Sequence, residues 1–313
     1  VWCSSLRQVG PSPKSRTPRQ GSGEQLVSSI TVGRSFGPYQ IRDVLGKGAS
    51  ATVYVGRRSD GVDVAVKVLS AFAMGNADFR RSVPREYNAL EKLDHSGVMR
   101  VHKMGTIADV LFIEMEWVDG PTLDGMLEAG KPLDLSVAVD VTAEVADALD
   151  HCHSRGVIHR DVKPSNILMR RGTAPVLFDF GLAQDDADPH AEPGRLYATP
   201  MTASPEQIRA EGAVDGRADI YALGVTLFRL AAGKLPFYGE RMDLLRMHAS
   251  QEPPEPQSVN KHVPAELQQL ILRAMAKSPD DRFGNANEFA SALRELDPEL
   301  LVAHGRRGWR KRS

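Results

Sequence analysis

The chain has almost no cysteine. Cys3 and Cys152 are the only two in 313 residues, and they lie far apart. A disulfide framework is therefore not expected, and a reducing, cytoplasmic setting fits better. A charge excess of either sign is also missing: Lys and Arg number 39 against 40 Asp and Glu. That balance gives no reason to expect nucleic acid or an anionic membrane as a partner. No apolar run is long enough to span a bilayer. The best, Tyr221 to Ala232, is short and carries Arg229. The first residues lack the continuous apolar stretch of a secretory signal.

Residues 1–36 have little that could build a core. They are rich in Ser, Pro, Gly and Arg, with Glu24 as their only acid, and read as a disordered tail. The basic end, 297–313, reads as a solvated tail. Between them the pattern changes once. Tyr39–Leu45, Thr52–Gly56 and Val62–Leu69 carry apolar alternation, with Asp60-Gly61 as a hairpin signal. A helix is expected near Arg85–Leu93, then strands near 98–104 and 110–117. After Gly120 the period becomes helical: Val137, Val141, Val145, Leu149 and Cys152 share one face. Further helices fit 219–232, 240–250, 264–277 and 285–296. The expectation is an α+β chain of two lobes. Residues 39–118 would form a five-stranded antiparallel sheet with one helix, and 119–296 a mainly helical lobe.

Three constellations carry chemistry. The first is Gly46-Lys47-Gly48-Ala49-Ser50-Ala51 between two strands. Glycines there let backbone N–H groups approach phosphate oxygens. Alone it reads as well as an ordinary hairpin turn. The second is Lys67, ending Val64-Ala65-Val66-Lys67, a cation placed to reach phosphates, with Glu86 on the next helix as the anion to hold its stem. The third is His159-Arg160-Asp161-Val162-Lys163-Pro164-Ser165-Asn166, followed by Asp179-Phe180-Gly181. Asp161 can orient a hydroxyl and accept its proton. Lys163 can neutralise a transferring phosphoryl group. Asn166 and Asp179 offer hard oxygens to a magnesium ion.

In this order the motifs resemble the eukaryotic-like (Hanks-type) serine/threonine protein kinases, bacterial members most closely, over roughly residues 39–296. Ser204-Pro205-Glu206 is similar to the motif that closes that family's activation segment. Asp219-Ile220-Tyr221-Ala222-Leu223-Gly224 is similar to the one that opens its buried helix, and Arg282 is placed to pair with Glu206. The resemblance implies ATP and Mg2+ as cofactors and protein substrates as partners. Leu45, Gly46, Lys47, Gly48, Val53, Ala65 and Leu168 would line the nucleotide. Met115 would gate the back of the adenine pocket, with Glu116 to Val118 as the hinge. Lys163 favours the serine/threonine class, and Thr199 would contact Asp161.

Some features depart from that pattern. Residues 182–196 hold no Ser or Thr, so Arg160 lacks the usual phosphorylatable partner, and Thr202 stands where an aromatic is common. Pro84 suggests that the helix carrying Glu86 starts late. Two other readings stay open: a kinase-like scaffold without turnover, and a small-molecule phosphotransferase. Lys67, Asp161 and Asp179 weigh against the first, the two docking-lobe motifs against the second. His151, Cys152, His153 and His159 superficially resemble a metal cluster, but neighbouring helical positions diverge by about 100°.

Overall fold

The computed structural model describes residues 30–48, 51–70, 90–127, 132–180, 199–210 and 214–302, with 83–84, 87–88 and the backbone of 184–185. Two units divide the chain: one comprises the residues up to Lys92 with Met99–Val118, the other Leu93–Val98 with Asp119 onward.

The first unit is a sheet whose strands run in the order β1-β2-β3-β4-β6-β5. They are β1 (Ser35–Phe36), β2 (Tyr39–Lys47), β3 (Ala51–Arg57), β4 (Asp63–Leu69), β5 (Val101–Ile107) and β6 (Val110–Glu116). Every neighbouring pair is antiparallel. Gly61, at φ +85°, closes the β3–β4 turn in a backbone region that favours glycine. Strand alternation then sorts side chains onto two faces. Tyr54, Val64, Val66, Val68 and Phe112 pack on one face, with Phe36, Tyr39 and Ile41. Ala51, Leu69, Ile113 and Met115 pack on the other, with Val83 and Tyr87.

The sheet has six strands, not the expected five. Phe36, inside the stretch read as a tail, is 1% exposed and meets Phe112 edge to face at 5.9 Å. Burying one such ring is worth about 1.5–3 kcal/mol, enough to draw the chain before Tyr39 onto the sheet. The helix near Arg85–Leu93 is described only in part. Val83 and Pro84 are helical, and Arg85 and Glu86 lie outside the described residues, as does the question of where the helix carrying Glu86 starts.

The second unit is mainly helical. Its elements are α1 (Leu123–Met126), α2 (Leu135–His153), β7 (Val157–Ile158), β8 (Ile167–Arg170), β9 (Ala174–Leu177) and β10 (Gln184–Asp185), then α3 (Pro205–Arg209), α4 (Arg217–Ala232), α5 (Arg241–Ser250), α6 (Pro256–Val259), α7 (Ala265–Ala274), α8 (Ala286–Arg294) and α9 (Pro298–Val302). Asp134 caps α2 by accepting from the Ser136 N–H, and Asn285 caps α8 by accepting from Glu288. Helix α2 packs against both α4 and α8, so it buries Ala138, Ala143, Ala146 and Ala148 besides the expected Val141, Val145, Leu149 and Cys152. Pro264 stands just outside α7 as its N-cap, and Glu266 occupies the first turn.

Helix α4 is buried nearly throughout, and Gly224 explains how α7 comes so close: a Cβ there would meet the Ala274 Cβ at 2.8 Å. Helix α9, inside the stretch read as a tail, buries Leu301 and packs on α2. Among the described residues no helix is long and apolar enough to cross a membrane.

Candidate active site

In the first unit, strand register gathers the expected nucleotide contacts. Val53 lies opposite Lys67, which lies opposite Ile113, and Ala65 lies opposite Met115. With a period of two, Val53, Ala65, Lys67 and Met115 therefore share one face of the sheet. Val53 and Ala65 are buried there at 7% and 2% exposure. Gly46 and Lys47 end β2 opposite Val53 and Thr52, next to Leu45, and the Gly48 N–H donates to the Ala51 carbonyl at 2.8 Å. Glu116 is tied through its N–H to the Arg100 carbonyl at 2.8 Å, and Val118 is buried. Glu86, Ala49 and Ser50 lie outside the described residues.

On the opposite face stands a buried carboxylate that the sequence did not flag. Glu114 is 1% exposed. It accepts from the Tyr39 hydroxyl and pairs at 3.2 Å with Arg58, His102 and Lys103. Burial would raise its pKa, but Tyr39, Lys103 and Arg58 together hold it below the usual carboxylate range.

The second unit brings Asp161, Lys163, Asn166 and Thr199 into one hydrogen-bonded group. The Lys163 ammonium lies 2.6 Å from the Asp161 carboxylate and donates at 2.6 Å to the Thr199 hydroxyl. The Thr199 N–H reaches the other Asp161 oxygen at 3.2 Å. Asn166 donates its amide nitrogen to the Asp161 carbonyl at 2.9 Å and to its carboxylate at 3.1 Å, which leaves the amide oxygen to offer to a cation. Leu168 is buried on β8.

Two strained residues stand beside this group. Arg160 and Asp179 have φ of +66° and +61°, a region costly for residues with a Cβ, by about 1–3 kcal/mol each. Asp219, fully buried at the start of α4, shows what holds the first. Its carboxylate accepts the N–H groups of His159 at 2.9 Å and Arg160 at 2.7 Å, and pairs with His153 at 2.8 Å. Burial raises its pKa, yet His153, His159 and these N–H groups hold it below the ordinary carboxylate range. Gln207 adds a bond from its amide to the Arg160 carbonyl at 3.0 Å.

His159 links the two strained positions. Its Nε2 faces the Phe178 carbonyl at 3.0 Å and so donates, while Nδ1 accepts from the Asp161 N–H at 3.2 Å. Its ring lies 4.4 Å from that of Phe180. The apparent His/Cys cluster is thus shared among separate partners. His151 accepts from the Asp94 N–H, and Cys152 is buried with its thiol pushed well above the usual range, mainly by that burial. Residues 182–196, apart from the backbone of 184–185, lie outside the description, as do Gly181, Tyr197 and Ala198.

Farther out, Arg282 grips Glu206 with two parallel bonds of 2.7 and 2.8 Å. Ser204 and Gln207 form a reciprocal cap on α3. Resemblance alone pointed to the Thr199 contact. The anchoring role of Asp219 was missed, although an acid opening an otherwise apolar helix was a signal for it.

A two-lobed architecture with these motifs defines a protein-kinase fold. The model of the protein kinase domain matches residues 39–293. Mycobacterium tuberculosis PknJ, a serine/threonine-protein kinase, is 38% identical over 279 residues, 85% of this chain and 46% of that protein. Myxococcus xanthus Pkn1, another, is 38% identical over 84% of this chain and 38% of its own length. The crystal structure of the Mycobacterium tuberculosis PknI kinase domain, solved as a cysteine-to-alanine mutant, superposes with a TM-score of 0.67 at 31% identity, covering 85% of this chain and 98% of that one. The chain belongs to the protein kinase family, among bacterial proteins of the serine/threonine type. It spans less than half the length of the curated relatives it matches.

Proposed function

We propose that this chain transfers the γ-phosphate of ATP to serine or threonine hydroxyls of protein substrates. The observation that carries the reading is the group built on Asp161. A carboxylate held by Lys163, Asn166 and the Thr199 N–H is aimed and cannot swing away from an incoming hydroxyl. Asp161 orients the substrate hydroxyl and takes its proton. Lys163 faces the phosphoryl group as its charge redistributes. Phosphoryl transfer asks mainly for positioning and charge neutralisation, and these residues supply both.

The donor set fits magnesium. The Asn166 amide oxygen and the Asp179 carboxylate are hard ligands, and a site with few protein ligands suits an ion that keeps water and phosphate oxygens. Magnesium bound there would neutralise charge on the phosphates. In the first unit, Val53, Ala65 and Met115 would offer an apolar face to the adenine ring, Glu116 and Val118 would form the hinge, and Lys67 would meet the phosphates, with Glu86 as the partner that the family resemblance implies.

The test uses the purified chain, radiolabelled ATP and a basic acceptor protein. Label should appear on Ser or Thr of the acceptor, vanish when Mg2+ is omitted, and vanish in Lys67→Met with the fold intact. Full transfer by Lys67→Met would contradict the assignment.

A further inference from the structure

Behind the segment that follows Thr199 lies a buried polar cluster that the chemistry above does not use. Tyr221 on α4 is fully buried, and its hydroxyl meets His248 Nδ1, on α5, at 2.9 Å. His248 is itself 1% exposed, and its ring lies against the backbone of Met201. Lys277, beyond α7, donates to the Tyr221 hydroxyl at 3.1 Å and to the His248 carbonyl at 3.0 Å. Its ammonium also lies 5.3 Å from the ring centre of Tyr221 and 5.0 Å from that of Phe237. One cation therefore caps the C-terminal carbonyls of α5, where negative charge accumulates, and ties α5 to α4.

Met201 stands two residues after Thr199, whose hydroxyl and N–H engage Lys163 and Asp161. The Met201 side chain is 41% exposed, while His248 lies behind its backbone. Thr202 and Ala203 are buried and both donate to the Thr199 carbonyl at 3.0 Å, so the segment is a tight turn. An apolar side chain next to Thr199, backed by a buried network, is suited to receive the backbone and side chains that flank an acceptor hydroxyl.

We infer that Lys277, acting through Tyr221 and His248, is a positioning residue that holds the Thr199–Ala203 turn and α5 in the shape that engages the protein substrate. The inference rests on the kinase reading of the site. Lys277 touches neither nucleotide residues nor Asp161, so its effect falls on the protein acceptor and not on ATP. The ammonium sits close to losing its proton: burial pushes it down to about 8, Glu252 pulls upward, and Arg282 and Arg209 push further down.

The experiment uses the full chain carrying Lys277→Met, Lys277→Arg or Tyr221→Phe, with myelin basic protein as acceptor. Lys277→Met should raise the acceptor KM at least about fivefold while the ATP KM stays within about twofold. Tyr221→Phe removes one hydroxyl from a packed ring and should move the same constant in the same direction, which decides the matter if Lys277→Met does not fold. Lys277→Arg should restore the acceptor KM. Amide hydrogen exchange at 199–204 should quicken in both disruptive variants, a readout independent of turnover. Unchanged acceptor KM and exchange in a folded Lys277→Met, or equal losses for ATP and acceptor, would overturn the inference. A wild-type chain that transfers no phosphate while exchange quickens as expected would overturn the kinase reading and leave the positioning of the turn intact.

Discussion

Among the described residues, each unit holds a carboxylate exposed by 1% or less, Glu114 in the first and Asp219 in the second, and the two are held in different ways. Asp219 is bound by backbone N–H groups of the segment that carries Asp161, with His153 as a side-chain partner. Among the described residues Glu114 is bound by side chains: Tyr39, Arg58, His102 and Lys103. A carboxylate that grips backbone dictates the path of the chain and can hold a residue at positive φ. A carboxylate that grips side chains ties strands together and leaves the backbone to the sheet. The first arrangement shapes chemistry and the second supports stability.

The sharpest way to break this contrast is Asp219→Asn. An amide can accept from only one of the two N–H groups and sets its NH2 against the other. Relaxation of Arg160 would then move Asp161, and a misplacement of about 1 Å costs roughly a hundredfold in rate. The expected outcome is a kcat about a hundredfold lower together with a stability loss of about 3 kcal/mol, read by steady-state kinetics and denaturant titration. Full activity in a stable Asp219→Asn would erase the distinction between the two carboxylates.

Acid offers a second test, and the direction can be worked out. Burial, with Lys277 nearby, pushes the His248 pKa down from 6.5 to about 4. The unfolded chain therefore binds this proton first, and stability falls as pH drops from about 6.5 to about 4, by about 3 kcal/mol from this group. Both buried carboxylates have lowered values, so their contribution is complete above the ordinary carboxylate range and is lost only as pH falls further. A melting series begun at about pH 7 should show its first decline in this upper window as the pH is lowered, and His248→Gln should flatten that part.

The smallest effect belongs to Glu114→Gln. It should cost about 1–3 kcal/mol of stability, since an amide cannot satisfy Arg58, Lys103, the His102 ring and a phenol together, yet leave kcat within about twofold. A large loss of kcat at preserved stability would mean that the outer face of the sheet governs chemistry.

Sequence made the candidate site far more legible than its supports. Asp161, Lys163, Asn166 and Asp179 are local in sequence and carry their chemistry in residue type. Resemblance named Val53, Ala65, Lys67 and Met115, and the strand register shows them on one face. The strand at Ser35–Phe36 was not legible, because Phe36 sits among Ser, Gly and Arg and is buried only once Tyr39, Tyr54 and Phe112 offer it a surface. Helix α9 was hidden for the same reason, Leu301 being buried by its packing against α2. Tyr221, His248 and Lys277 are separated by 27 and 56 residues in their hydrogen bonds, and no spacing rule joins them. Asp219 lay inside a recognised motif, yet its bonds to His159 and Arg160 arise only when α4 is packed behind the loop.

The most direct test of the account is phosphate transfer by Asp161→Asn, measured in single turnovers beside nucleotide binding. Asparagine keeps the size of the side chain and its contacts with Lys163 and Thr199 in part, but cannot take a proton. The account predicts ATP affinity within about twofold of wild type and transfer to the acceptor slower by about 10²–10⁴. Transfer at the wild-type rate would contradict it.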